Sequence, residues 1–283
     1  MPSSDMSRRA FLAGAGSVAA AVLTGAPTAW AGARAKRAPL SPLVLSSDLY
    51  ATPEPQRLAF AIAKGAEYAS GAPAKVALAA PGARRGKVYP TTLHRAGLPK
   101  GRGVYVAEVV LDQAGVWDAL ALTQGRRVPF AIEVKERAEV PVVGAAAPRA
   151  PSPTLADPLG VHPICTRRPR CPLHDVSLST VIGAGTPVAA MFATPALCQS
   201  QYCGPVLDEL LKLRRSFPGV TFVHVEIYRS NRGADLSPTV EAWQLPSEPW
   251  LFTIDTAGTI TGRLDGAFGG DEMRARLEAL TSG

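Results

Sequence analysis

The residues most able to do chemistry in this 283-residue chain are four cysteines, Cys165, Cys171, Cys198 and Cys203. Cys203 is followed by Gly204-Pro205 and an apolar run of Val206, Leu207, Leu210, Leu211 and Leu213. Proline has no amide hydrogen and favours the first helical turn, so the run predicts a helix over 205–217 with Cys203 at its N-terminal edge. Unpaired amide N–H groups and the helix dipole favour an anion there. A thiol so placed has a lowered pKa, and its thiolate is the nucleophile. Cys203 is therefore the candidate attacking thiol. Cys198 lies five residues upstream, after Thr194-Pro195-Ala196-Leu197. A Cys-x4-Cys ring can close over an irregular Gln199-Ser200-Gln201 loop. Cys198 is then the candidate resolving thiol, since exchange through a mixed disulfide needs only a neighbouring thiol and access.

Cys165 and Cys171 enclose Thr166-Arg167-Arg168-Pro169-Arg170. An even cysteine count leaves pairing open among three connectivities; proximity predicts a structural disulfide at Cys165–Cys171 and a bond between Cys198 and Cys203. A more active alternative lays this arginine loop over Cys198 and Cys203, where it would stabilise a thiolate. A metal reading uses the cysteines with His174 and His224 to hold copper or zinc, but neither spacing matches a standard site. His224 sits inside the strand-like FVHVEIY, where a histidine is usually packed. The expectation is no metal and no cofactor. His94, alone in its region, reads as a surface or turn residue.

Two kinds of pattern must position these residues. Residues 42–137 read as all-β, with candidate strands at 43–50, 57–63, 75–80, 103–111, 116–122 and 128–135 separated by Gly, Pro and Asp turns, a spacing that suggests a sandwich. A hairpin is expected to turn at Asp112-Gln113-Ala114-Gly115, with Tyr105 and Trp117 in the core. Residues 138–163 are rich in Pro and Ala and read as a semi-extended linker permitting relative motion. From 164 onward strand and helix alternate. The strands are 186–194, 219–228, 249–255 and 258–266, the last two a hairpin across Thr256-Ala257. The helices are 205–217, 237–243 with Ser237 as N-cap and Pro238 as first helical residue, and a final amphipathic segment. The order is β-α-β-α-β-β-α.

With its motifs, that order resembles the thioredoxin fold, most closely the extracytoplasmic thioredoxin-like proteins of bacteria. "MFAT...YCGP" stands where that family has Phe-x-Ala-x-Trp-Cys-Gly-Pro-Cys, and Val206 replaces the second family cysteine. "LPSEPWLFTIDTAGTI" stands where the family has a cis-proline and a strand ending Ile-Asp-x-x-Gly. The resemblance implies that Pro249, flanked by Glu248 and Trp250, shapes a substrate groove. It also implies that the chain acts on protein thiols or disulfides or meets a membrane thiol-reducing partner. A charged Glu248 beside the thiol departs from the family pattern and is expected to raise the thiol pKa. The N-terminal half, with Gly103-x-Tyr105 followed by Gly115-x-Trp117, resembles immunoglobulin-like accessory domains of exported bacterial proteins. The fold class expected is an all-β immunoglobulin-like sandwich (42–137), the linker (138–163) and an α/β thioredoxin-like domain (164–283).

Two further readings compete. "TPALCQSQYCG" is similar to the Thr-Pro-Gly-Cys-x4-Cys-Gly of Q-type peroxiredoxins with one residue inserted, which would make Cys198 a peroxide-attacking thiol resolved by Cys203 through a sulfenic acid. The other is a non-enzymatic binding protein with two structural disulfides.

Residues 1–31 are expected to be an address. Arg8-Arg9, Phe11-Leu12, an Ala/Gly/Val run and Ala29-Trp30-Ala31 resemble a twin-arginine export signal, implying a periplasmic, cell-surface or extracellular protein. The run is too short and too diluted by glycine to span a membrane, and no other stretch is expected to do so. The net charge of +7 over the whole chain is mild and scattered; without a dense basic stripe and interleaved aromatics, nucleic-acid binding is not expected. Export meets an oxidising compartment, where disulfides persist.

Overall fold

The computed structural model describes residues 40–64, 67–68, 72–198, 201–233 and 235–282. The expected export signal lies outside the described residues, as do Gln199 and Ser200 of the cysteine loop.

Nine strands build the N-terminal half: β1 (Leu40–Val44), β2 (Thr52–Lys64), β3 (Glu67–Tyr68), β4 (Ala74–Ala79), β5 (Lys87–Pro90), β6 (Thr92–His94), β7 (Val104–Leu111), β8 (Gly115–Thr123) and β9 (Arg126–Val134). They form two antiparallel sheets, β1-β2-β7-β6 with β3 on β2, and β5-β4-β8-β9. Alternate residues of both sheets point inward, and Phe60, Tyr105, Val76, Trp117 and Ile132 share one core. Tyr105 and Trp117 are therefore core residues, as expected. The expected hairpin is corrected: β7 pairs with β2 and β6, while β8 pairs with β4 and β9. The chain turns at 112–115 but crosses from one sheet to the other. Gly115 at φ +120° makes the corner, and the Trp117 indole N–H donates to the Gln113 carbonyl at 2.9 Å to close it. The short strands β5 and β6 carry too few apolar residues to be read in advance.

The C-terminal half contains α1 (Leu178–Val181), β10 (Val188–Phe192), α2 (Cys203–Leu213), β11 (Thr221–Val225), α3 (Pro238–Trp243), β12 (Trp250–Ile254), β13 (Ile260–Asp265) and α4 (Gly270–Ser282). The sheet order is β11-β10-β12-β13, with β10 parallel to β11 and antiparallel to β12, and β12 antiparallel to β13. This strand order, with a helix after β10, β11 and β13, is thioredoxin-like. All five residues of β10 are buried because both faces are covered. Val188, Ala190 and Phe192 face a core with Trp243 and Phe252; Ala189 and Met191 face a core with α2 and α4. Ser237 does precede α3, but its hydroxyl donates to the Glu226 carbonyl at 2.8 Å and makes no side-chain cap.

Residues 138–163 do not hang free. The Gly144 and Ala147 amides donate to the carbonyls of Ile260 and Gly258 at 2.8 and 2.9 Å, and the His162 amide donates to Arg229 at 2.7 Å. Val140, Ala147, Ser152 and Val161 are buried. The two halves also share charge and core. Arg57 on β2 binds Glu272 on α4 through two nitrogens, at 2.8 and 3.1 Å, and donates to the carbonyls of Asp265 and Ala267. Arg263 on β13 pairs with Asp48 at 3.1 Å. Ala59, Val104 and Val106 pack in the core that holds α2 and α4.

Candidate redox site

Cys198 and Cys203 are joined by a disulfide with their Cα atoms 6.0 Å apart. The loop from β10 turns tightly to bring Cys198 back: the amides of Leu197 and Cys198 both donate to the Thr194 carbonyl, at 3.2 and 3.1 Å. Cys203 opens α2, as its Gly-Pro sequel predicts. Its own backbone N–H donates to Cys198 Sγ at 3.4 Å, so the donor end of the helix serves the upstream sulfur. Burial separates the two thiols. Cys203 is fully buried, in the core with Tyr202, Val206 and Leu207, whereas Cys198 is only partly buried. Cys203, the expected attacking thiol, is thus the inner sulfur of the pair, and Cys198, the expected resolving thiol, the outer one.

Glu248 meets the buried sulfur. Its Oε2 lies 3.2 Å from Cys203 Sγ and accepts the Thr194 amide at 2.7 Å. Burial pushes this carboxyl up to about 7, the nearby Glu226 charge adds to the rise, and the Thr194 hydrogen bond opposes it. Glu226 is likewise raised by its burial and accepts from the Thr166 hydroxyl at 3.0 Å. The Thr194 hydroxyl accepts the Ile227 amide at 2.9 Å.

The Glu248–Pro249 peptide is cis, as the resemblance implies. Pro249 and Trp250 are buried. Trp250 stacks on Phe252 with centroids 5.7 Å apart and lies under the Arg263 guanidinium, because it begins the central strand β12. Segment 45–47 of the N-terminal half lies against this region: Ser247 Oγ donates to Ser47 Oγ at 2.8 Å, and Leu45 approaches Gly266. Glu248 faces the sulfur.

The expected structural disulfide is corrected as well: Cys165 and Cys171 are free thiols, both buried. His174 and His224 share their space. Cys171 Sγ lies 3.2 Å from His174 Nε2 and 3.3 Å from His224 Nδ1, which is itself 3.3 Å from His174 Nε2. Cys165 Sγ lies 3.8 Å from His224 Nδ1. His224 reaches in from β11, and its amide donates to the Leu173 carbonyl at 3.0 Å, fastening the 171–174 segment along that strand. The hydrogen bond from Cys171 holds the Cys165 thiol far below its ordinary pKa, with both histidines assisting, and the same contact plus burial drives Cys171 up. Burial lowers His174. Burial alone would lower His224 too, but the Cys165 contact and the Glu226 charge outweigh it and raise it.

The arginine loop lies beside the turn that carries Cys198. Arg167 Nε binds Asp208 on α2 at 2.6 Å, and the loop lines a cleft of about 380 Å³ with Ala196 and Leu197 beside the Cys198 turn. From the N-terminal half, Arg102 donates to Gln201 Oε1 at 2.8 Å and lies over the Tyr202 ring. His94 pairs with Asp271 of α4 at 2.7 Å. Sequence reasoning places Glu248 beside the thiol through the resemblance and weighs the cysteines with His174 and His224 as a metal set; what it misses is the burial of Cys203 against that carboxyl and the convergence of Cys165, Cys171 and both histidines in one buried space.

No protein-family model matches the chain, and no curated protein matches it. Among solved structures, the chain is similar to a Chlorobium tepidum protein carrying the name thiol:disulfide interchange protein DsbE, at 16% identity and TM-score 0.36 over 50% of this chain and 98% of that one. It is also similar to a thioredoxin-family thiol:disulfide interchange protein of Chlorobium tepidum TLS, at 14% identity and TM-score 0.34 over 49% and 97%. These are distant likenesses over about half the chain, and the fold description rests on the chain's own strand order.

Proposed function

We propose that this chain is an exported thiol–disulfide oxidoreductase acting on protein thiols or disulfides through Cys198 and Cys203. The observation that carries the reading is a disulfide whose outer sulfur is partly exposed and receives a helix-start amide, while its inner sulfur is buried against a carboxyl titrating near neutrality. In the reducing direction, the Cys198 thiolate attacks a substrate disulfide, forming a mixed disulfide and releasing one substrate thiolate. Glu248 takes the Cys203 proton. The Cys203 thiolate then attacks Cys198 Sγ, closes the 198–203 bond and expels the second substrate thiolate. Run backward, the same steps oxidise a dithiol. A carboxyl near pH 7 suits a group that must both accept and return a proton.

The N-terminal sheets are read as an immunoglobulin-like accessory module that walls the site through Arg102, and residues 164–283 as the thioredoxin-like domain. Export by residues 1–31 and reduction by a membrane thiol donor belong to the same proposal. Among the described residues no helix is long and apolar enough to cross a membrane.

A rival reading, a binding protein with an inert bridge, draws support from the burial of Pro249, Trp250 and Cys203. The reduction potential of the 198–203 pair decides between them. A value above about −300 mV with catalysed insulin reduction or dithiol oxidation is expected; a lower value, typical of structural bridges, with no turnover, sinks the enzyme. Peroxide consumption dependent on Cys198 would instead favour the peroxidase reading.

A further inference from the structure

Outside the redox pair, four potential ligand atoms converge in the core. Cys165 Sγ, Cys171 Sγ and one ring nitrogen each of His174 and His224 all lie within 4.8 Å of one another, and all four residues are buried. Cys165–His224, Cys171–His174, Cys171–His224 and His174–His224 approach to between 3.2 and 3.8 Å. A tetrahedral ion with metal–nitrogen distances of roughly 2.0–2.1 Å and metal–sulfur distances of about 2.3 Å requires edges of about 3.3 Å between nitrogens, about 3.5 Å between nitrogen and sulfur and about 3.8 Å between sulfurs. Those four approaches already have that size, and the other two lie within 4.8 Å.

His224 Nε2 lies 2.9 Å from the Ala193 carbonyl, which can only accept, so Nε2 carries the proton and Nδ1 of the neutral ring offers a lone pair. Three groups, Cys165 Sγ, Cys171 Sγ and His174 Nε2, converge on that one lone pair. A cation at the centre would meet all four groups at once. His174 is buried to 1% exposure, and among the described residues its Nδ1 has no hydrogen-bond partner. Its remaining nitrogen is the one aimed into the cluster.

We propose that Cys165, Cys171, His174 and His224 are the ligands of a structural zinc ion. Two thiolates would neutralise the divalent charge inside the core, and a buried two-sulfur, two-nitrogen set in tetrahedral array is what zinc takes. With four protein ligands the site is closed, so its role is to hold structure and not to bind substrate. The Ala193 carbonyl on His224 Nε2 is the outer contact that orients a ligating imidazole. The ion ties the irregular 165–174 segment to β11. That segment in turn holds the redox loop, since Thr166 Oγ1 accepts the Ala196 amide at 3.2 Å.

The test is the metal content of the full chain, purified from zinc-containing medium under non-chelating conditions and measured by mass spectrometry. The proposal expects about one zinc per chain, with proton release on binding. It also expects the same content in the Cys198→Ser/Cys203→Ser double variant, which removes the other thiols, and tetrahedral cobalt(II) absorption with thiolate charge-transfer bands on substitution. Chelation should lower the unfolding midpoint by about 10 °C, and added zinc should restore it. Cys171→Ser should lose the ion; if that variant does not fold, the intact chain and the double variant still decide. Folded protein holding under about a tenth of an equivalent, a Cys165–Cys171 disulfide in peptide maps, loss of zinc in the double variant, or stoichiometric copper in place of zinc would each overturn the assignment.

Discussion

Glu248 Oε2 stands 3.2 Å from the sulfur of Cys203, the buried member of the 198–203 disulfide. A carboxyl pushed up to about 7 thus sits on the sulfur that, in the proposed cycle, must lose a proton before it resolves a mixed disulfide.

Replacing Glu248 with Gln removes this acid–base group while keeping the Thr194 contact. Resolution by Cys203 should slow by ten- to a hundred-fold or more, within the range of general-base effects. Its wild-type rise through about pH 7 should shift toward the ordinary thiol range. Stopped-flow measurement of mixed-disulfide decay between pH 5 and 9 checks both; an unchanged profile would remove Glu248 from the mechanism.

The same residue makes stability depend on pH. Burial raises the folded value above the ordinary 4.5, so folding favours protonated Glu248. Its contribution is fully present below 4.5 and is lost as pH rises through about 7. Relative to Glu248→Gln, the wild type should lose roughly 2–3 kcal/mol between pH 4 and 8. Denaturant titrations of the oxidised proteins across that range read the difference directly.

Arg57 joins the two halves through a bidentate contact to Glu272, with both side chains less than a tenth exposed. Arg57→Ala leaves the Glu272 and Asp265 carboxylates buried without their cation. It should cost about 3–5 kcal/mol, while an apolar replacement of both Arg57 and Glu272 costs less. Urea unfolding tests this; a loss below about 1 kcal/mol would place the pair among those that contribute little.

Gly266 sits at φ +71°, and an added Cβ there would overlap the Leu45 carbonyl backbone. Gly266→Ala should therefore destabilise by more than about 2 kcal/mol, combining left-handed backbone strain with displacement of segment 45–47. Thermal unfolding measures it, and faster alkylation of Cys198 or Cys203 in the reduced variant would report loosening near the site.

The sequence made the C-terminal half readable because its periods are clean. "VAAMF" is short and continuously apolar, and the spacing from Val206 to Leu213 is helical, so the β-α-β-α-β-β-α order and the helix start at Cys203 could be placed. Burial of Cys203 could not, because it depends on packing from elements distant in the chain; its core includes Val104, Val106 and Leu98 of the N-terminal half. Pro249 could be marked as a special proline and Glu248 set beside the thiol through the resemblance, yet nothing local says that the carboxyl is buried there, against the inner sulfur 45 residues away. The hairpin at 112–115 failed for a related reason: a turn signal fixes where the chain reverses, not which sheet receives the next strand. His224 reads as an ordinary strand histidine until the irregular 165–174 loop is folded back along β11, bringing in His174 from 50 residues away.

The division of labour between the two thiols is tested most directly by trapping. Reduced Cys203→Ser and Cys198→Ser chains are mixed with a disulfide-bonded protein, quenched with acid and mapped by mass spectrometry. The account predicts a mixed disulfide through Cys198 that accumulates in Cys203→Ser, and no adduct in Cys198→Ser. An adduct through Cys203 in the Cys198→Ser chain, or none in either, would contradict it.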